Sequence, residues 1–164
     1  MNNFVTHLEC SEAGDHYNFG EINNLSKINK PLLVKYDLEK LKNSFSKEDF
    51  INDFPSLPGF WKYQYLLPLS KKSSVIDLGE VITPLVRISK SNNLFIKDEG
   101  RLPTGSFKAR GLALGVARAK ELGIKKIAIP TNGNAGAALA AYATAAGIES
   151  FVFCPEDTPS INIR

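Results

Sequence analysis

The chain has 164 residues, 43% of them hydrophobic and 23% charged, with a net charge of +3. That length and balance fit one soluble globular fold with room for a core, and fall short of two full-sized domains. The basic residues are scattered or stand in pairs such as Lys71-Lys72 and Lys125-Lys126, so charge makes no case for a nucleic-acid or membrane partner.

Two widely separated cysteines, Cys10 and Cys154, are a poor basis for a disulfide framework and suit a reduced, intracellular protein. The opening residues hold His7 and Glu9 and no apolar signal core, so a cytoplasmic location is the expectation. The chain changes character near residue 80. Residues 1–80 are irregular and rich in Asn, Ser, Lys and aromatics, whereas residues 81–164 are apolar, rich in Ala and Gly, and periodic.

In the first part, Pro31 to Tyr36 reads as a strand and Leu38 to Phe45 as a short helix. Phe60, Trp61, Tyr63 and Tyr65 crowd the next apolar stretch. Base stacking by these rings is conceivable, but apolar anchors packing an arm onto the domain is the favoured reading, because exposed aromatic patches are rare.

The second part predicts a strand at Leu94 to Lys97 and a helix from Phe107 to Leu122, stopped by Gly123. Leu112, Val116 and Ala119 form its apolar face, leaving Arg110, Arg118 and Glu121 to water. A strand at Lys126 to Pro130, a helix from Asn134 to Ala146 ended by Gly147, and a strand at Phe151 to Cys154 follow. Alternation of strand and helix argues an α/β fold with a parallel sheet and flanking helices. The second helix is mostly alanine on every face, as suits burial against a sheet.

Ligands in open α/β sheets bind beyond the carboxyl ends of the strands, and two loops here occupy such ends. The first runs from Asp98 to Lys108 and the second from Thr131 to Asn134. Lys108 falls in the first turn of its helix, after a Ser106 or Thr104 cap. The helix dipole disfavours a cation there, so the expected effect is a lowered amine pKa, and a neutral amine is what Schiff-base chemistry needs. The competing reading is a solvated surface lysine, which the residue alone favours. In the second loop Gly133 allows a tight turn and Asn134 caps the Ala-rich helix, beside a helix N-terminus suited to an anionic oxygen; a plain strand-to-helix turn fits equally. The loop lacks a P-loop or G-x-G-x-x-G pattern, and its G-x-x-G is too short a signal for an RNA-binding module.

Taken together, the loops resemble a known family. Lys97 to Gly111, K-D-E-G-R-L-P-T-G-S-F-K-A-R-G, resembles the cofactor-lysine segment of fold-type II pyridoxal phosphate (PLP) enzymes. Pro130 to Gly136, P-T-N-G-N-A-G, resembles their asparagine loop. The D-E-G-x-x-P-T-G-S-F-K-x-R-G pattern is similar to that of the threonine synthases within that group. Leu78-Gly79-Glu80, Thr83-Pro84-Leu85 and the run from Pro31 to Asp37 fit the same family.

The resemblance implies a partial fold-type II fold, with residues 1–80 as an arm and extension and 81–164 as the start of the PLP-binding catalytic domain. It implies that Lys108 holds PLP through a Schiff base and later moves protons, that Asn134 hydrogen-bonds the cofactor's ring oxygen, and that Phe107 packs beside the ring. Thr131, Asn132 and Gly133 would line the substrate's carboxylate and phosphate side. The implied partner is a phosphorylated amino acid and the implied reaction is O-phosphohomoserine plus water to threonine plus phosphate, with a homo-oligomer possible in the full-length form.

Two departures from the family stand out. Many relatives carry a C-x-x-C pair near the N-terminus, but here Ala13 stands where Cys10 would find its partner. One thiolate with His7 and His16 is too little for a structural zinc site, so no metal is expected. The family's glycine-rich phosphate loop also comes later than Arg164, so the expectation is a fragment, inactive alone. The alternatives are a serine/threonine dehydratase-like PLP enzyme and a non-catalytic remnant. The reading frame beyond codon 164 separates enzyme from remnant.

Overall fold

The computed structural model describes residues 4–44, 46–48, 59–90 and 92–163. Among the described residues, small sheets and the helices named below make up the α/β architecture. Strands β1 (Val5–Cys10), β2 (His16–Tyr17) and β3 (Leu32–Tyr36) form an antiparallel sheet with β1 in the middle. Helix α1 (Leu38–Ser44) follows β3; Phe45, where the sequence placed its last residue, lies outside the described residues. Strand β1 was hidden in the sequence because its polar Thr6, His7 and Glu9 interrupt the apolar alternation.

Strands β4 (Leu85–Ser89) and β5 (Leu94–Lys97) pair antiparallel. The alternation of strand and helix predicts Leu94 to Lys97 in one parallel sheet with the later strands; the structure corrects this. Arg87 reaches across the reversal to the carbonyls of Ser89 and Lys90 and to Asn93 Oδ1, and Asn93 takes a left-handed backbone (φ 47°). A short chain reversal then supplies the neighbouring strand directly, without a helical crossover. The parallel expectation does hold for β6 (Lys126–Pro130) and β7 (Glu149–Phe153), which are joined by α3 (Asn134–Ala146). Helix α2 (Lys108–Glu121) precedes β6 and packs on α3. Gly147 ends α3 in a left-handed conformation (φ 69°), its N–H bonded back to the Ala143 and Thr144 carbonyls.

One apolar core joins residues on both sides of position 80: Trp61, Leu69 and Ile76 meet Ala113, Val116, Leu139 and Tyr142. Of the aromatics in the 60–65 stretch, Phe60 and Trp61 are buried and anchor the arm, whereas Tyr63 is exposed. Gly59 permits this approach. It holds φ at 56°, and a Cβ there would lie 2.2 Å from the Glu80 carbonyl oxygen. Glu80 is itself buried, accepts from the Tyr142 hydroxyl (2.6 Å) and the Leu78 N–H (3.0 Å), and is pushed above the usual carboxylate range chiefly by burial.

Arg110, Arg118 and Glu121 of α2 are not left to water. Arg118 stacks its guanidinium 3.8 Å from the Phe19 ring, donates to the Phe19 carbonyl, and pairs with Glu121. Glu121 accepts from the Ser70 and Lys71 backbone N–H groups. Their polar ends thus fasten the helix to the arm, while α2 buries Ala109, Ala113, Val116, Ala117 and Ala119. Helix α3 is likewise one-sided: Gly136, Ala138, Leu139, Tyr142 and Ala143 are buried, whereas Ala137 and Ala140 are exposed.

Candidate active site

The loop from Asp98 to Phe107 folds as two single 3-10 turns that deliver Lys108 to the start of α2. Thr104 adopts φ 64° and Gly105 φ 68°. A β-branched residue in the left-handed region is strained, and such strain gathers at functional positions. Neither Ser106 nor Thr104 caps the helix; Phe107 occupies the cap position, without a side-chain cap bond. Ser106 turns inward instead, with its buried hydroxyl unpartnered. Phe107 is 60% exposed, and the Lys108 Nζ sits 4.9 Å from its ring centroid.

Three side chains brace this loop. Arg110 donates from Nε to Glu99 Oε2 (2.5 Å) and from Nη2 to Glu99 Oε1 (2.8 Å) and Thr83 Oγ1 (3.2 Å). Thr83 donates to Glu99 Oε1 (2.6 Å). The Arg110 hydrogen bonds, ahead of Thr83, hold the Glu99 carboxyl down at about 2. A carboxyl lowered in the folded state stabilises fully above its ordinary value of 4.5, and that contribution is lost as pH falls from there toward 2. Substituting Arg110→Met should therefore cost about 1–2 kcal/mol at neutral pH, between an exposed ion pair and a charge-assisted hydrogen bond. It should also flatten the acid limb of stability. Urea unfolding of both proteins from neutral to acid pH checks this; parallel curves would contradict it.

The second loop lies at the carboxyl end of β6. The Gly133 N–H bonds Thr131 Oγ1 (3.2 Å). Gly133 is extended (φ −154°) rather than tightly turned, and Asn134 is the first residue of α3 instead of its cap. The residue that needs to be glycine is Gly136, where a Cβ would stand 2.9 Å from Val152 Cγ1. Its bare backbone seats the start of α3 on β7. Thr131, Asn132 and Gly133 line a cavity of about 460 Å³ with Gly136, Val152, Cys154 and Thr158. Thr158 presents a second buried, unpartnered hydroxyl there. Lys108, Phe107 and Asn134 are not in that lining. The two loops nonetheless share a neighbourhood, since the Pro103–Gly105 turn packs on both α2 and α3.

The Pyridoxal-phosphate dependent enzyme family matches residues 76–164, more than half of the chain. The chain belongs to this family of PLP-dependent enzymes. Among curated relatives it is 35% identical to a threonine synthase of Methanocaldococcus jannaschii over 90% of this chain and 37% of that protein. It is 38% identical to a threonine synthase of Methanosarcina acetivorans over 91% of this chain and 37% of that protein. A 2-amino-4-ketopentanoate thiolase beta subunit of Acetoanaerobium sticklandii is 48% identical over 56% of this chain and 20% of the relative. The chain thus spans little more than a third of the threonine synthases it matches. Within the PLP-dependent family the residues present fit the cofactor: a primary amine at a helix start, a carboxamide on the first turn of the neighbouring helix, and two buried hydroxyls without partners. No helix among the described residues is long and apolar enough to cross a membrane.

Proposed function

We propose that residues 1–164 form part of a cytoplasmic threonine synthase, which converts O-phosphohomoserine and water to threonine and phosphate. The observation that carries this reading is the strained, braced loop that presents Lys108 at the start of α2. The threonine synthase alignments add support because they extend over nine-tenths of the chain and so take in the arm.

The residues have distinct work in this reading. Lys108 holds the cofactor by its Nζ, and the same nitrogen then takes and returns the proton at the substrate's reacting carbons. Phe107 offers an exposed ring face beside it. The Asn134 amide donates to the cofactor's ring oxygen. Thr131, Asn132 and Gly133 receive the substrate's anionic groups, where the N-terminus of α3 adds partial positive charge. PLP, when bound, supplies the electron sink that permits phosphate loss and water addition at the β-carbon. Arg110 and Glu99 keep the loop in register without touching substrate.

The test is an assay of purified full-length protein with PLP, comparing phosphate release from O-phosphohomoserine with ammonia release from serine and threonine. Phosphate release with threonine formation supports the reading. Ammonia release as the dominant activity would replace it with a dehydratase. Residues 1–164 alone are expected to be inactive in the same assay, because β7 leaves Phe151, Val152 and Phe153 exposed and the proposed site draws on a longer chain.

A further inference from the structure

His7, Glu9 and His16 bring three ligand atoms within 4.8 Å of one another on one face of the arm sheet. His7 and Glu9 alternate on β1, and Glu9 stands directly opposite His16 on β2. The two imidazole rings lie 3.9 Å apart between centroids, and Glu9 Oε2 is 3.9 Å from His7 Nε2 and 3.7 Å from His16 Nε2. Lys35, from β3, occupies the other carboxylate oxygen, Oε1, at 2.6 Å. It fixes the Glu9 rotamer and leaves Oε2 facing the rings.

The hydrogen-bond bookkeeping around His7 leaves a lone pair unmet. Thr6 lies at a register shift of β1, where a bulge re-aims side chains. Its hydroxyl donates to the Lys35 carbonyl (3.2 Å), and it accepts from His7 Nδ1 (2.9 Å) in the neutral tautomer that protonates that nitrogen. His7 Nε2 is then an acceptor, buried and without a hydrogen-bond partner, pointed at a carboxylate oxygen that is also an acceptor. Two acceptors face each other across a gap sized for a cation. The Thr6 contact is the outer-shell bond that orients a metal-ligating imidazole.

We propose that His7, Glu9 and His16 form an exchangeable site for a zinc-class divalent cation that ties β2 to β1. Around a tetrahedral ion with bonds of about 2.0–2.1 Å, neighbouring donors sit roughly 3.3 Å apart. The exposed His16 side chain closes its own distances by rotation, and the 3.9 Å between His7 Nε2 and Glu9 Oε2 closes by a small shift of those two side chains. Two imidazoles and one carboxylate suit zinc, nickel or copper and are too few oxygens for calcium or magnesium. Three protein donors leave a position for water, as in open sites. This is not the thiolate site whose second cysteine is missing. Cys10 follows Glu9 and so points to the opposite face, where it is buried and accepts from the Ala13 N–H.

The experiment is calorimetric titration of zinc chloride into chelator-stripped full-length protein, comparing wild type with His16→Ala, Glu9→Gln and Cys10→Ser. His16 is 64% exposed, so its loss leaves the fold intact. Expected are one site in the wild type, binding weakened at least about tenfold by His16→Ala and Glu9→Gln, and no change with Cys10→Ser. Cobalt in place of zinc should give a visible spectrum without a thiolate charge-transfer band. Equal zinc binding by wild type and His16→Ala, no binding at all, or a thiolate band would each overturn the proposal. None of these readouts depends on turnover, so the outcome is independent of the proposed activity.

Discussion

Substituting Lys108→Ala in the full-length protein is expected to abolish covalent retention of PLP and to lower turnover of O-phosphohomoserine by at least about a thousandfold. The amine is asked for two things, attachment and proton transfer, and alanine removes both. Lys108→Arg should be as inactive, because a guanidinium stays protonated and offers no free amine. That variant separates the chemistry from a mere need for positive charge beside Phe107. Lys120→Ala, exposed near the end of the same helix, serves as the control and should change nothing. Borohydride reduction of the wild type followed by peptide mapping should find the cofactor on the Lys108 peptide. A label on another lysine, or full activity in Lys108→Arg, would remove Lys108 from the site.

The elements that carry this site were legible where the hydrophobic period was strong. Helices α2 and α3 and strands β3 and β6 lie within two residues of the spans read from sequence, because Gly123 and Gly147 punctuate them and the apolar runs are short and clean. Pairing was less legible. Nothing in Leu94 to Lys97 distinguishes a hairpin partner from a parallel one, since that choice was made by the Arg87–Asn93 reversal. An alanine helix carries too little contrast between faces to reveal that α3 leaves Ala137 and Ala140 open. The charges on α2 misled for a related reason. A pattern shows which face is polar, but not that Arg118 will find Phe19 or that Arg110 will find Glu99, because those partners come from other segments. The His7, Glu9 and His16 grouping was hidden likewise: the histidines were visible singly, and only the β1–β2 register puts the carboxylate between them.

Stability should depend most steeply on Trp61, through which the arm enters the core. Its side chain is 0% exposed and meets the cluster that includes Leu69, Val116 and Tyr142. Trp61→Ala removes the largest fully buried side chain and leaves a void that flanking helices cannot close, at a cost of about 3–5 kcal/mol. Trp61→Phe is the more telling variant. The indole Nε1 is buried and has no hydrogen-bond partner, so the native residue carries the penalty of an unsatisfied donor, about 1–3 kcal/mol. Phenylalanine sheds that donor while keeping most of the apolar contact. The gain offsets much of the lost volume, and the net cost should stay below about 1.5 kcal/mol. Urea unfolding followed by circular dichroism measures both, and it needs no tryptophan signal. A Phe variant as unstable as the Ala variant would mean that Nε1 has a partner in the folded protein, and the indole would then serve as a polar tie between arm and core.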